Sequence, residues 1–343
     1  MTTAETAPAI DLAPVAAQPF ARRHPIVRLV GMRLISGLVS IFVVSAIVYW
    51  ATIVLPGNAA SAILGQSATP ERLAELTEKL HLNDPVLSRF WTWLTGAVRF
   101  DFGNSLANGQ PVTEYILPRL ENTIVLVIVA AVVSTILGLL LGAWAALRRD
   151  RPVDHVMSVV ALVASALPEF VVGVFVVLTF SVAIFHWFPA VSVLPPGVHA
   201  WDRPSQLVLP ALTLVIVVTP YVFRMMRAAT IESLNSEYVE LATLKGLSRN
   251  RILLRHAVPN ALAPTIQVIG LNLLYLAGGI VLVETVFNYQ GIGLALVNAV
   301  NTRDVPVIQF VVVLLAVFYV VLNIVTDLLV LLVSPRKRQG LSK

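Results

Sequence analysis

The 343-residue chain contains no cysteine, which excludes disulfides, thiolate zinc and iron–sulfur sites, and thiol catalysis. It is poor in charge: 13% of residues are charged, against about 25% in soluble globular proteins. Its six histidines, at 24, 81, 155, 186, 199 and 256, are scattered without ligand spacing, so no metal centre is expected. No G-x-x-x-x-G-K-[ST] loop is present to cradle phosphates, and any nucleotide chemistry must belong to another chain. No secretory signal is expected either, because the first 20 residues carry neither a basic residue nor an apolar core.

What the chain has instead is apolar length. Hydrophobic residues make up 57% of it, and runs longer than about 18 apolar residues recur, as in a polytopic membrane protein. A bilayer core of ~30 Å takes about 20 helical residues at ~1.5 Å each. Six segments meet that length, at 34 to 55, 123 to 147, 166 to 188, 207 to 227, 261 to 284 and 306 to 333. The expected fold is an all-α membrane protein with six transmembrane helices.

Basic residues set the orientation. Arg22, Arg23, Arg28 and Arg33 precede or open the first span, and Arg148, Arg149 and Arg151 follow the second. Arg224, Arg227, Lys245, Arg249, Arg251 and Arg255 cluster at and beyond the inner end of the fourth, and Arg336, Lys337 and Arg338 after the sixth. The short segments on the other side hold only Arg203 and Arg303. Both termini are therefore expected in the cytoplasm. The net charge of +5 reports this arrangement in the bilayer and not an affinity for nucleic acid.

Residues 1 to 23, rich in Ala, Pro and Thr, read as a disordered cytoplasmic tail ahead of a transmembrane domain over 24 to 343. The apolar run from Val156 to Phe188 is too long for one span and contains Pro168-Glu169. Proline kinks a helix, so residues 154 to 166 either lie at the inner face before the third span or form a re-entrant half-helix. Residues 56 to 122 form an extracytoplasmic insertion long enough to fold. Thr69-Pro70 opens a helix over Glu71 to Leu80 with Leu73, Leu76 and Leu80 on one face. A second helix is expected from Val86 to Phe100. Its Trp91 and Trp93 either anchor at the membrane surface or dock an external partner.

The stretch from Arg227 to Pro259 is polar, basic and patterned. Ser236 is placed to cap a helix whose first turn holds Glu237 and Glu240, at the positive end of the helix dipole. Lys245 falls in the last turn and Gly246 just past the C-cap, where left-handed backbone suits glycine. Ser248 can cap a short second helix carrying Arg249, Arg251, Ile252, Leu253 and Arg255, which Pro259 ends. Tyr238, Leu241 and Leu244 share one side of the first helix. Such a face either enters a groove on another protein or rests on lipid. Spacing alone leaves both open.

Glu240-Leu241-Ala242, three residues, Gly246, nine residues, then His256-Ala257-Val258-Pro259 resembles the EAA loop of membrane subunits of binding-protein-dependent ABC importers. That pattern runs Glu-Ala-Ala-x3-Gly-x9-Ile-x-Leu-Pro; Leu241, His256 and Val258 depart from it. Other segments resemble the dipeptide/oligopeptide permease branch: His81-Leu82-Asn83-Asp84-Pro85, Asp101-Phe102-Gly103-Asn104-Ser105, and Val283-Glu284-Thr285-Val286-Phe287 followed by Gly291-Ile292-Gly293.

The resemblance implies a type I ABC importer permease fold in a bacterial or archaeal inner membrane, with residues 228 to 260 as the coupling loop. It implies a second homologous permease subunit, two cytoplasmic ATPase subunits and an extracytoplasmic solute-binding protein. ATP and Mg would sit on the ATPase subunits and no cofactor on this chain, which would be a transport subunit and not an enzyme. Glu240, Leu241, Ala242, Gly246 and Pro259 would carry the ATPase contact.

Pathway candidates are the polar groups within spans. Glu169 stands where the family often has a small polar residue, and reads either as a substrate-preference residue or as a structural pair. Gln267, Asn272 and Asn323 can line a pathway, but amides also bond helix to helix at about 0.6 kcal/mol. Glu284 lies at the outer end of span five, and Asp327 near the inner end of span six, close to water or a basic neighbour. The expected cargo is a di- or oligopeptide, with a nickel chelate as the alternative in the same architecture. An ion-coupled secondary carrier using Glu169, Glu284 and Asp327 is the alternative of another class, although no convincing internal repeat supports it.

Overall fold

The computed structural model describes residues 25–54, 69–79, 83–195 and 197–333, and among these every regular element is helical. The expected tail 1 to 23, the start of the insertion, His81-Leu82 and the cluster Arg336, Lys337 and Arg338 lie outside the described residues. In chain order the helices are α1 (Pro25–Val54), α2 (Pro70–Lys79), α3 (Val86–Val98), α4 (Val112–Leu147), α5 (Pro152–Ala166) and α6 (Glu169–Val177). They continue with α7 (Pro204–Leu234), α8 (Glu237–Leu244), α9 (Arg249–Ile252), α10 (Val258–Phe287), α11 (Ile292–Thr302) and α12 (Val305–Val333).

Among the described residues, five helices are long and apolar enough to cross a membrane: α1, α4, α7, α10 with the turn before it, and α12. The third expected span is a bent pair. Helices α5 and α6 meet at 107°, because Leu167, in front of Pro168, is forced out of helical geometry to φ −85°, ψ 135°. Helical backbone then ends at Ala183, so the continuous span expected over 166 to 188 is shorter than expected. A second bend of 79° separates the end of α10 from α11, a helix that hydropathy did not announce. Helix α4 starts eleven residues before the expected 123. Its first turns are held by burial, with Val112 and Ile116 packed among Phe102, Ile292 and Val307.

Helix α7 is the spine of the bundle and packs against α4, α5, α6 and α10. Its closest approach is to α4, where Gly138 and Gly142 form a G-x-x-x-G face that lets two backbones meet. A Cβ on Gly142 would lie 2.7 Å from the Phe223 carbonyl oxygen and 2.8 Å from the Met226 Cβ. Neither backbone nor Cβ atoms can swing aside. Helices α1 and α12 form a second pair, joined by Arg33 Nε to Asp327 Oδ2 at 2.5 Å and by Gln309 donating to Thr52 Oγ1 at 3.0 Å. Asp327 thus takes a basic neighbour, one of the two roles open to it from sequence.

Helix α3 and the segment after it fold onto the outer ends of these helices. Thr69 caps α2 by accepting from the Arg72 N–H at 3.3 Å. Phe90 is buried edge-on to Tyr49 of α1, at 5.2 Å between ring centroids, and Trp93 lies 5.5 Å from the same ring. Trp93 therefore binds α3 to α1, while Trp91 points outward. Beyond α3, Asp101-Phe102-Gly103-Asn104-Ser105 turns on Gly103 at φ +69° and docks on Asp304. The buried Asp304 carboxylate accepts from the Ser105 hydroxyl and from the N–H groups of Leu106 at 3.0 Å and Ala107 at 3.3 Å.

Gly142→Val is expected to destabilise the solubilised protein by about 1–3 kcal/mol through overpacking of the α4–α7 contact. Gly31→Ala, inside α1 where an added Cβ meets nothing within 4 Å, should not lower the unfolding temperature, alanine being the better helix former. Thermal unfolding in one detergent, read by tryptophan fluorescence, compares the two; equal midpoints would show that the glycine contact is not limiting.

Candidate functional site

Helix α7 runs past the expected boundary at 227 to Leu234, and α8 begins within one turn of it. Ser236 holds the N-cap backbone geometry, φ −85° and ψ 152°. Its hydroxyl, however, bonds back to the Ser233 carbonyl, so the expected side-chain cap is not made. The C-terminus follows the expectation closely. Gly246 is left-handed at φ +76°, its N–H donates to Thr243 at 2.9 Å, and the Leu247 N–H donates to Ala242 at 3.3 Å. These two bonds form a Schellman closure, and Leu247 then packs with Val239, Ala242 and Ile252.

Helix α8 consequently has an inner and an outer face. Val239 and Ala242 are buried within the loop, whereas Leu241 is 58% exposed and Leu244 78% exposed, with Tyr238 and Glu240 beside them. Ala242, expected at a partner contact, instead shapes the loop from inside, because its small side chain lets α8 lie close to Ile252. The Tyr238 hydroxyl bonds to Ser233 and accepts from Asn260 Nδ2 at 3.1 Å, fastening α8 to the ends of α7 and α10. Burial pushes the Tyr238 phenol up, but its hydrogen bonds to Ser233, Ser236 and Asn260 outweigh that and hold it below its ordinary value.

Two further expectations change here. Pro259 does not end the second helix. Residues Leu253–Ala257 form a wide π turn, with the Val258 N–H donating to the Leu253 carbonyl, and Pro259 sits in the first turn of α10. The wide turn shifts the hydrogen-bond register where proline has no donor to give. Arg227 lies inside α7 and clasps Asp154 of α5, with Nε and Nη2 each 2.6 Å from a carboxylate oxygen. Asp154 is 1% exposed, so this bidentate pair locks α5 to α7 just above α8.

The polar groups within the spans divide sharply. Glu284 is wholly buried and accepts from Thr123 Oγ1 at 2.6 Å and from the N–H groups of Gly293 at 2.7 Å and Leu294 at 3.1 Å. Thr123 accepts in turn from the Ile292 N–H at 2.9 Å. Together they satisfy the first three backbone donors of α11. A Cβ at Gly291 or Gly293 would strike the Glu284 carboxylate, which accounts for both glycines. Asn272 is buried and Gln267 partly buried on α10; the Asn272 Nδ2 has no hydrogen-bond partner among the described residues. Asn323 bonds to the Tyr319 carbonyl of its own helix at 3.0 Å.

Glu169 is different. It opens α6 directly after the break, accepts from the Tyr275 hydroxyl, and lies where a Cβ on Gly279 would come within 3.0 Å of its Oε1. The Tyr275 ring is 6.0 Å from the Tyr221 ring, over which the Arg224 guanidinium sits at 5.3 Å. Among the described residues no group of His, Asp and Glu is placed to hold a metal ion.

Residues 138–339 match the family described as binding-protein-dependent transport system inner membrane component, and residues 26–127 match the N-terminal family of the same systems. The chain belongs to this permease family. It is 34% identical over 308 residues to a probable peptide ABC transporter permease of Sinorhizobium fredii, covering 89% of this chain and 97% of the relative. It is 33% identical over 306 residues, with the same coverage, to the glutathione transport system permease protein GsiC of Escherichia coli K12 and to GsiC of Shigella flexneri. The permease is thus an all-α, multi-pass inner-membrane subunit of an ABC importer, a class that operates with ATPase and binding-protein partners.

Several structural residues of the permease escaped the sequence reading. Thr123, Asp154, Asp304 and Tyr275 act through partners far along the chain, which spacing does not display. Asp154 and Asp304 carried a signal, each being an acidic residue at an apolar helix start. Glu284→Ala is expected to orphan buried donors at about 1–3 kcal/mol each, lowering the unfolding temperature, while Glu284→Gln keeps an acceptor and most of the stability. Equal losses in a thermal melt would contradict the capping role.

Proposed function

We propose that this permease is the pathway subunit of an ATP-driven importer that carries di- or oligopeptides from an extracytoplasmic binding protein into the cytoplasm. It pairs with a second homologous permease in a six-span topology with both termini inside. Two ATPase subunits holding ATP and Mg each grip one coupling loop. Helix α8 carries this reading: an apolar face of Tyr238, Leu241 and Leu244 is turned outward, while hydrogen bonds and buried residues hold its inner face rigidly to the membrane helices. A helix that only rested on lipid would not require the tyrosine link to α7 and α10. The peptide assignment rests on the relatives named for peptides and for glutathione, itself a peptide. Neither the nickel-chelate nor the ion-coupled alternative draws support from these relatives.

Proteoliposomes holding the complete importer, with binding protein outside and ATP inside, should accumulate a labelled tripeptide, and should not without ATP. Accumulation driven by a proton or sodium gradient alone would overturn the proposal. In the same preparation Leu244→Asp, at a position already exposed, should insert normally but reduce ATPase recovery and stimulated hydrolysis by about tenfold, in line with loss of a buried apolar anchor. Gly246→Val forces a left-handed β-branched residue costing about 1–2 kcal/mol and should uncouple. Gly246→Asn, which tolerates that backbone, should stay near wild type.

A further inference from the structure

We propose that Glu169, Tyr275, Tyr221 and Arg224 form a membrane-embedded site that reads both ends of a short peptide, Glu169 taking its α-ammonium and Arg224 its α-carboxylate. This rests on the peptide-import reading and deepens it. Charged groups within spans are costly and are retained where they pair or face an aqueous path. Four other carboxylates in or beside the spans have partners: Asp154 is clasped by Arg227, Asp327 is paired with Arg33, Glu284 caps α11, and Glu121 of α4 is paired with His199. Glu169 has the Tyr275 hydroxyl on Oε1 and, among the described residues, no cation within ion-pair distance. It lies in the first turn of the nine-residue α6. A carboxylate bonded to one phenol still has acceptor capacity for an ammonium group.

Arg224 is the complementary case. It is exposed on α7, one turn from Arg227, and makes no ion pair among the described residues. Its guanidinium offers a planar fork suited to a carboxylate. Between the two charges lie the rings of Tyr275 and Tyr221, stepping 6.0 Å ring to ring and 5.3 Å ring to guanidinium. The strip is open. Leu271, Tyr275, Gly278 and Leu282 are all exposed along one face of α10, and Gly278 has nothing within 4 Å of an added Cβ. Tyr275 stands about 25 Å along α10 from Val258 at ~1.5 Å per residue, in the middle of that 30-residue helix. An anion and a cation at opposite ends of an aromatic wall match a zwitterion whose side chains are left unread.

The test uses the complete importer in nanodiscs, without nucleotide and without the binding protein, so that only the membrane subunits can select. Labelled trialanine should bind, and N-acetyl-trialanine and trialanine amide should compete at least about tenfold more weakly. Glu169→Gln should erase the penalty for acetylation and not that for amidation; Arg224→Gln should do the reverse. Equal competition by free and blocked peptides in the wild type overturns the site, and that arm needs no variant. So does an acetylation penalty left intact in Glu169→Gln, or an absence of trialanine binding. If Glu169→Gln does not assemble, Tyr275→Phe, which keeps the ring and removes the donor, should narrow the same penalty, and an unchanged penalty counts against the site. ATP-driven uptake with binding protein in the same preparation separates the two levels. Uptake without terminal selection at the membrane sinks this site alone, whereas no uptake sinks the importer reading.

Discussion

A bilayer offers no water to an interrupted helix, so each break in this permease must find its hydrogen-bond partners inside the chain. That constraint explains the least regular parts of the molecule. Where α10 bends into α11, the Tyr289 N–H returns to Glu284, the Phe287 carbonyl accepts from Ser192, and Glu284 with Thr123 serves the first donors of α11. Gly291 and Gly293 leave the room that the carboxylate occupies. Where α5 bends into α6, the Pro168 carbonyl accepts from Val171 and Val172, and Glu169 is left facing α10. At the α10–α11 break the carboxylate is fully engaged by the chain. The other keeps a carboxylate with capacity to spare.

The same demand for internal partners makes the route from loop to membrane stiff. Helix α7 is continuous from Pro204 to Leu234, held against α4 by the glycine contact and against α5 by Asp154 and Arg227. Helix α8 follows within one turn and is tied back by Tyr238 to Ser233 and Asn260. A push on α8 therefore reaches α7 and α10 together. Through Arg227 it also reaches α5, the half of the broken span that leads to Glu169. Mechanical coupling of this kind needs no flexible relay, because packed helices move as bodies.

Hydropathy and charge made five crossing helices legible, since apolar length and basic flanks are properties of short windows. The glycine end of α8 was legible for a related reason: Lys245-Gly246 encodes a local backbone conformation. What stayed hidden depends on distant atoms. The α5–α6 bend was announced by Pro168, but its angle is set by packing against α7 and α10. Helix α11 has no span-length run to betray it. Glu284 reads as an isolated acid until Thr123 and the first turn of α11 are brought to it. Pro259 misled because a proline inside a helical pattern was read as an end, whereas the π turn before it lets the helix continue.

The EAA-like pattern itself separates two kinds of position once its faces are known. Ala242 and Gly246 match the family pattern, and both act inward: one packs on Ile252, the other closes the helix. Leu241 departs from the pattern and lies on the exposed face with Leu244. An inward position is constrained by this chain's own fold, since a larger residue at 242 would lift α8 from Ile252 and a β-branched one at 246 would strain the turn. An outward position is constrained only by what covers it. On the proposed ATPase contact, a leucine in place of alanine adds apolar surface that the partner must accommodate with a matching recess. On that proposal, the departure that weakens the motif as a pattern falls on the face where the partner's fit is decided.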